Sequence, residues 1–112
     1  MSSADDFSVE LVSVPDNAYV VRVVGDLDMA TAPALENRIA SLDSASRLVV
    51  DLTQCTFLDS AAVRSLMTIA RDAEIAGTPL ALVAPDTGIL RVLEITGADS
   101  VLPVHSTVDE AL

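Results

Sequence analysis

Near the N-terminus, the pattern of apolar and polar residues predicts two β-strands. Residues 7–11 alternate between apolar and polar side chains, which is typical of a strand with one covered face. A mostly apolar run follows at residues 19–24 and ends at Gly25. Because only a short segment with the turn formers Pro-Asp-Asn at 15–17 lies between the two runs, we expect an antiparallel hairpin.

A first helix is predicted after this hairpin. Asp28 and Thr31 both have side chains suited to capping its N-terminus, and Pro33 is tolerated in its first turn. The polar segment 43–46 ends it. Its buried stripe consists of apolar residues at helical spacing, which are Leu35, Ile39 and Leu42.

The central stretch, residues 47–77, begins with a predicted strand. Residues 48–52 are mostly apolar and rich in branched side chains, which favours a short buried strand. The more polar residues 53–56 are expected to connect this strand to a helix. We expect the two apolar residues that follow, Phe57 and Leu58, to anchor that connection.

The helix that follows is predicted to begin at Asp59 and Ser60, since both side chains can cap a helix N-terminus. It is expected to stop at Gly77 and Pro79. A strand that leads into a helix start exposes free N–H groups and a partial positive charge, which suits a phosphate. Ser60 is therefore either a simple capping residue or a phosphate acceptor, and spacing alone favours the cap. The apolar stripe of this helix is Val63, Leu66, Met67 and Ala70.

The C-terminal third predicts a further strand at residues 80–83, a helix closed by Gly97, an edge strand at 101–104 and a terminal helical turn at 107–112. The inward-facing residues of the helix are expected to be Ile89, Val92 and Leu93. The element order is therefore β-β-α-β-α-β-α with a final strand and helix, which indicates an α/β fold with a mixed, mostly parallel sheet of four to five strands. At 112 residues, we expect one domain with a loose segment at 1–6.

Charge changes the picture of possible partners. The chain has seventeen acidic residues and six basic ones, all arginine, and its formal net charge is −11. Nucleic acid is a poor partner because phosphate neutralisation requires a basic patch. Basic protein surfaces fit better, although strong acidity also serves solubility alone. No segment has the length of a membrane span or the pattern of a signal peptide, so we expect a cytoplasmic protein with no membrane partner.

The sequence lacks the residues that several common kinds of catalytic or metal site require. One cysteine and one histidine cannot form an intramolecular disulfide, and they make a zinc site or a Ser-His-Asp hydrolase implausible. No lysine is present, which argues against a phospho-aspartate receiver. The four glycines stand singly and form no phosphate loop. We therefore expect a non-enzymatic protein with no catalytic residues, metal or cofactor.

Four short motifs together resemble a known family. In order, they are Gly25-Asp26-Leu27-Asp28 with Thr31-Ala32, Val50-Asp51-Leu52, Phe57-Leu58-Asp59-Ser60, and the segment LRVLEITG at 90–97. This series is similar to bacterial anti-sigma factor antagonists of the STAS domain family. The resemblance implies a singly wound βα superhelix with a leading hairpin, which agrees with the predicted element order.

The resemblance also implies a switch. An anti-sigma factor that is a serine kinase would bind the unphosphorylated protein and release its sigma factor, and phosphorylation of Ser60 would end the complex. A serine phosphatase is a further implied partner. Asp28 matches an acidic loop that contributes to the partner surface, and Asp59 positions the helix start. Arg64 lies on a polar stripe of the same helix that adjoins the switch.

Two features near Ser60 leave alternatives open, one for phosphorylation and one for the role of Cys55. Family members usually have a hydroxyl residue and then a glycine after the acceptor, but Ala61 and Ala62 stand here. The alternative is a STAS interaction subunit of a transporter or larger signalling assembly that is not phosphorylated. Cys55 is either a small buried hydrophobe or a partly exposed thiol whose oxidation alters partner binding.

Overall fold

A computed structural model describes residues 6–112, apart from the side chain of Thr87, and its central element is a five-stranded sheet. The strands are β1 (Ser8–Val14), β2 (Ala18–Leu27), β3 (Arg47–Leu58), β4 (Leu80–Val83) and β5 (Val104–His105). They lie in chain order across the sheet, with β1 antiparallel to β2 and every other neighbouring pair parallel. The predicted hairpin and mixed α/β sheet are confirmed. Of the predicted loose segment 1–6, only Asp6 lies within the described residues.

The connecting helices are α1 (Ala32–Ala40), α2 (Ser60–Ile75), α3 (Thr87–Ile95) and α4 (Val108–Ala111). Alternate residues of β3 point to opposite faces of the sheet, so Val50 packs with α1, α2 and α3, while Val49 packs with α4. The three longer helices therefore cover one face, as expected for a singly wound fold. Within residues 6–112, no helix is long and apolar enough to span a membrane.

Strand β3 is longer than the sequence predicted. Residues 53–56, expected to be a connection, continue the strand to Leu58 because the end of β2 pairs with them in parallel. Asp26 pairs with Phe57 and Leu27 with Leu58, after two irregularities in the register. Pairing with a neighbouring strand decides the conformation of this polar segment, and its β-branched residues, Thr53 and Thr56, are well suited to a strand. The two parallel strands thus end together, directly before α2.

The anchoring prediction is correct for one residue and wrong for the other. Leu58 is 3% exposed, whereas Phe57 is 51% exposed. The register shift between Gly25 and Asp26 turns this end of β3, and Phe57 points to solvent as a result.

The last predicted strand is also shorter than expected. Only Val104 and His105 pair with β4, whereas Val101 ends a 3-10 turn and is 63% exposed. The chain enters this turn through Gly97, which ends α3 as predicted and has a φ of +79°. The amides of Val101 and Leu102 donate to the carbonyl of Ala98, at 3.1 and 2.9 Å. These local bonds hold the segment away from the sheet.

A ladder of three charged residues crosses β1, β2 and β3. Glu10 pairs with Arg22, and Arg22 pairs with Asp51, in the strand register. The Arg22 guanidinium lies 3.4 Å from the Glu10 carboxylate and 3.7 Å from that of Asp51. Asp51 is only 4% exposed, and its Oδ1 also accepts a hydrogen bond of 2.9 Å from the amide of Thr53. This buried carboxylate is therefore compensated by a cation and a backbone donor.

Candidate functional site

The start of α2 leaves the Ser60 hydroxyl unused by the fold. Asp59 occupies the N-cap position, and its Oδ1 accepts a hydrogen bond of 2.8 Å from the amide of Ala62. Ser60 is the first helical residue and is exposed. Within residues 6–112, its side chain makes no hydrogen bond. The capping role that spacing offered to Ser60 therefore belongs to Asp59.

The second oxygen of Asp59 ties this helix start to the loop after β2. Oδ2 accepts a hydrogen bond of 3.2 Å from the amide of Met29, and the Asp59 amide lies 3.4 Å from the carbonyl of Leu27, to which it donates. One carboxylate thus fixes two segments that are thirty residues apart in sequence. Since Asp28 precedes Met29 in the chain, the structure brings the two loops that carry Asp28, Asp59 and Ser60 together.

Asp28 organises its own loop. Its Oδ1 accepts hydrogen bonds from the amides of Ala30 and Thr31, at 2.9 and 3.1 Å. Thr31 occupies the N-cap position of α1 without a side-chain cap bond; its hydroxyl donates instead to the carbonyl of Asp26 at 2.8 Å. The Asp28 side chain therefore closes the turn that precedes α1, and Thr31 joins that turn to the end of β2.

Two exposed apolar side chains belong to this surface and were missed by sequence reasoning. Met29 is 76% exposed and Phe57 is 51% exposed. The available signal was an apolar residue within a polar loop, namely Met29 between Asp28 and Thr31. A further link is the Thr56 hydroxyl, which donates to the Asp26 carboxylate at 2.6 Å. We refer below to the junction surface, formed by Asp26, Asp28, Met29, Phe57, Asp59 and Ser60.

Arg64 extends this surface along α2. It is exposed, and it lies four residues after Ser60 on the same helix, so the two side chains are neighbours one turn apart. Among residues 6–112, Arg64 forms no ion pair. It is therefore available to an anion.

The two alanines after Ser60 have different environments. Ala62 is 0% exposed and packs into the core from the inner side of α2, while Ala61 is half-buried. The extra methyl group that alanine has over glycine at position 62 therefore faces the protein interior. It does not obstruct the approach to the Ser60 hydroxyl.

Cys55 lies in the core, on the strand that leads to the junction surface. It is 4% exposed, and its thiol donates to the carbonyl of Phe57 at 3.2 Å. Desolvation by burial raises the pKa of the Cys55 thiol. The alternative of a partly exposed thiol is therefore wrong, and the interpretation as a small buried hydrophobe is confirmed.

The sequence and the fold both match a known family. A model of the STAS domain matches residues 10–111, and the chain accordingly belongs to the STAS domain family. Anti-sigma-F factor antagonist RsfB from Mycobacterium tuberculosis is 30% identical over 116 aligned residues, covering 100% of this chain and 92% of that protein. Anti-sigma-F factor antagonist RsfA from the same organism is 29% identical over 101 residues, covering 87% of this chain and 79% of that protein.

A solved structure is similar in both sequence and fold. The crystal structure of an anti-sigma factor antagonist from Mycobacterium paratuberculosis superposes with a TM-score of 0.81 and 32% identity. The superposition covers 99% of this chain and 95% of the mycobacterial chain. The family resemblance found in the four sequence motifs is therefore confirmed.

Proposed function

We propose that this protein is an anti-sigma factor antagonist. It binds an anti-sigma factor that is also a serine kinase, and this binding frees the sigma factor. Phosphorylation of Ser60 by that kinase ends the complex, and a serine phosphatase restores it. The proposal is supported by the relatives, which are named anti-sigma-F factor antagonists, and by the similar structure of an anti-sigma factor antagonist.

The observation that carries the proposal is the exposed Ser60 hydroxyl at the first position of α2. Because Asp59 already caps the helix, transfer of a phosphoryl group to Ser60 breaks no hydrogen bond of the fold. The positive end of the helix dipole favours the added anion. Modification is therefore expected to leave the fold intact.

The effect of the phosphate falls on the complex instead. A phosphoserine adds about −1.5 to −2 charges, next to Asp59 and near Asp26 and Asp28. To accept the phosphoryl group, Ser60 must approach the terminal phosphate of the bound nucleotide, so the phosphoserine that forms faces the remaining phosphates. Repulsion between these like charges, together with the added bulk, weakens the complex.

The junction surface also defines the chemistry of the partner. Met29 and Phe57 are exposed apolar side chains that lie among the carboxylates of Asp26, Asp28 and Asp59. A complementary partner has apolar pockets rimmed by basic residues, since exposed apolar groups bordered by charge mark protein interfaces. The net charge of −11 would speed the encounter with such a surface.

The test is incubation with the cognate anti-sigma kinase and ATP, followed by intact-mass and peptide analysis. We expect one phosphate, on Ser60. Ser65→Ala is a matched control, because Ser65 is half-buried and its hydroxyl donates to Glu36 at 3.0 Å. Loss of the phosphate in Ser60→Ala, but not in Ser65→Ala, supports the assignment.

Binding of the same variants tests the switch. Ser60→Ala should bind the anti-sigma factor like the wild type, and Ser60→Asp should bind at least about tenfold more weakly, a difference of about 1.4 kcal/mol. A stable complex in which Ser60 is never modified would contradict the switch and favour the unphosphorylated interaction subunit.

A further inference from the structure

A groove of about 750 Å³ runs along α2, on the side that faces the segment before β5. Arg64 and Arg71 stand on its α2 wall, with Glu74 near the end of the same helix. The opposite wall includes Val101, Leu102 and Pro103. The groove begins one helical turn after Ser60, so it continues the junction surface along the helix.

The charge of this groove is opposite to that of the whole chain. Two arginines and one glutamate line it, although the chain has a net charge of −11. Arg64 and Arg71 are exposed, and neither forms an ion pair with another described residue. By contrast, Arg22 pairs with Glu10 and Asp51, and the Arg47 side chain donates to the carbonyl of Ala111.

A second groove gives a direct comparison. It has a volume of about 420 Å³ and is also lined by α2, but on the side that faces α1. Its charged residues are Glu36, Asp43 and Asp72, and none of its lining residues is basic. The two grooves beside one helix therefore carry opposite net charge.

The floor of the larger groove provides apolar contact. Leu80 and Leu102 are buried, and Met67 is half-buried, so they form a fixed base. Val101 is 63% exposed at the edge. A ligand that covers Val101 removes apolar surface from water, which favours binding.

We propose that this groove binds an acidic segment of the anti-sigma factor, with apolar side chains between its carboxylates; this inference rests on the function proposed above. Arg64 and Arg71 are two helical turns apart, about 10 Å along the axis. Two carboxylates with a similar separation pair with both guanidiniums, while the intervening apolar side chains reach Val101 and the groove floor. Arginine suits this role because its planar fork binds a carboxylate through two hydrogen bonds.

The same arrangement fixes the orientation of the partner. The junction surface is acidic and the groove is basic, and they adjoin along α2. A partner with a basic region opposite the junction surface and an acidic region opposite the groove forms favourable charge contacts with both. A partner in the reversed orientation brings like charges together at both surfaces. The proposed segment thus adds specificity to the contact at Ser60.

The test compares two double variants by titration against the cognate anti-sigma factor. In R64E/R71E, two attractions become two repulsions, and we expect binding at least about tenfold weaker at low salt. In R38E/R91E, the same charge change occurs at two exposed arginines on α1 and α3 that do not line the groove, and we expect less than about a threefold change. Val101→Ser, which alters no charge, should weaken binding several-fold.

The outcomes separate this inference from the proposed function. If the wild type forms no complex with the anti-sigma factor, both fail. If it forms one and R64E/R71E binds like R38E/R91E, the groove inference is overturned while the function stands. Tighter binding by R64E/R71E would indicate a basic occupant, and a changed oligomeric state without a change in partner affinity would indicate a second copy; either overturns the inference. Hydrogen exchange on the anti-sigma factor should show an acidic segment that is protected by the wild type and unprotected by R64E/R71E.

Discussion

Asp59→Ala tests whether one carboxylate holds the junction surface together. The change removes the cap bond from the Ala62 amide at 2.8 Å and the bond from the Met29 amide at 3.2 Å. Loss of a helix cap costs about 1 kcal/mol, and loss of an ordinary hydrogen bond costs about 1 kcal/mol more. We therefore expect the free energy of unfolding to fall by about 2 kcal/mol, which lowers the melting temperature of a domain of this size by about 8 °C.

Asp86→Ala is the matched control. Asp86 caps α3 through the amides of Gly88 and Ile89, at 2.8 and 3.2 Å, and both of these bonds are local. We expect this variant to lose about 1 kcal/mol. Urea denaturation of both variants gives the difference directly if the m-values are unchanged.

Hydrogen exchange reports the bond between the loops more specifically. The Met29 amide should exchange faster in Asp59→Ala than in the wild type, and it should be unaffected in Asp86→Ala. If Met29 exchanges alike in all three proteins, or if Asp59→Ala costs no more than Asp86→Ala, the carboxylate does not couple the two loops and our reasoning is refuted.

Three further predictions concern other parts of the molecule. Arg22→Leu removes the cation beside the buried Asp51 carboxylate. Thermal denaturation should show that the free energy of unfolding falls by about 1–3 kcal/mol. An unchanged melting temperature would mean that Thr53 and solvent are enough to stabilise the carboxylate. Cys55 should react with a thiol reagent far more slowly in the native than in the unfolded protein, because the side chain is buried and its raised pKa leaves less thiolate at any given pH; equal rates would contradict its position in the core. Phe57→Ala should change the free energy of unfolding by less than about 0.5 kcal/mol because the ring is half exposed. The same change should weaken the anti-sigma factor complex. If titration shows undiminished affinity, Phe57 does not belong to the proposed interface.

The elements that sequence reasoning predicted well are those specified by local chemistry. The turn at 15–17 is occupied by Asp16 and Asn17 with φ values of +69° and +61°, which these residue types tolerate. Gly97 closes α3 with a positive φ, and Asp59 caps α2. In each case, a few adjacent residues carry the whole signal.

The features that sequence reasoning missed depend on contacts between distant segments. Residues 53–56 become strand because the end of β2 lies beside them, and periodicity within the segment does not contain that information. Phe57 faces solvent through a register shift that involves Gly25 and Asp26. The bond between Asp59 and the Met29 amide joins two loops that are separated by all of α1 and β3, so no local pattern predicts it.

The parallel ends of β2 and β3 have a consequence for binding kinetics. Because the two strands finish side by side and Asp59 holds the following loops, Ser60, Met29 and Phe57 form a pre-organised platform. A rigid platform loses little conformational entropy on association. We therefore expect docking close to rigid-body, with an association rate limited by electrostatic encounter rather than by rearrangement of this protein.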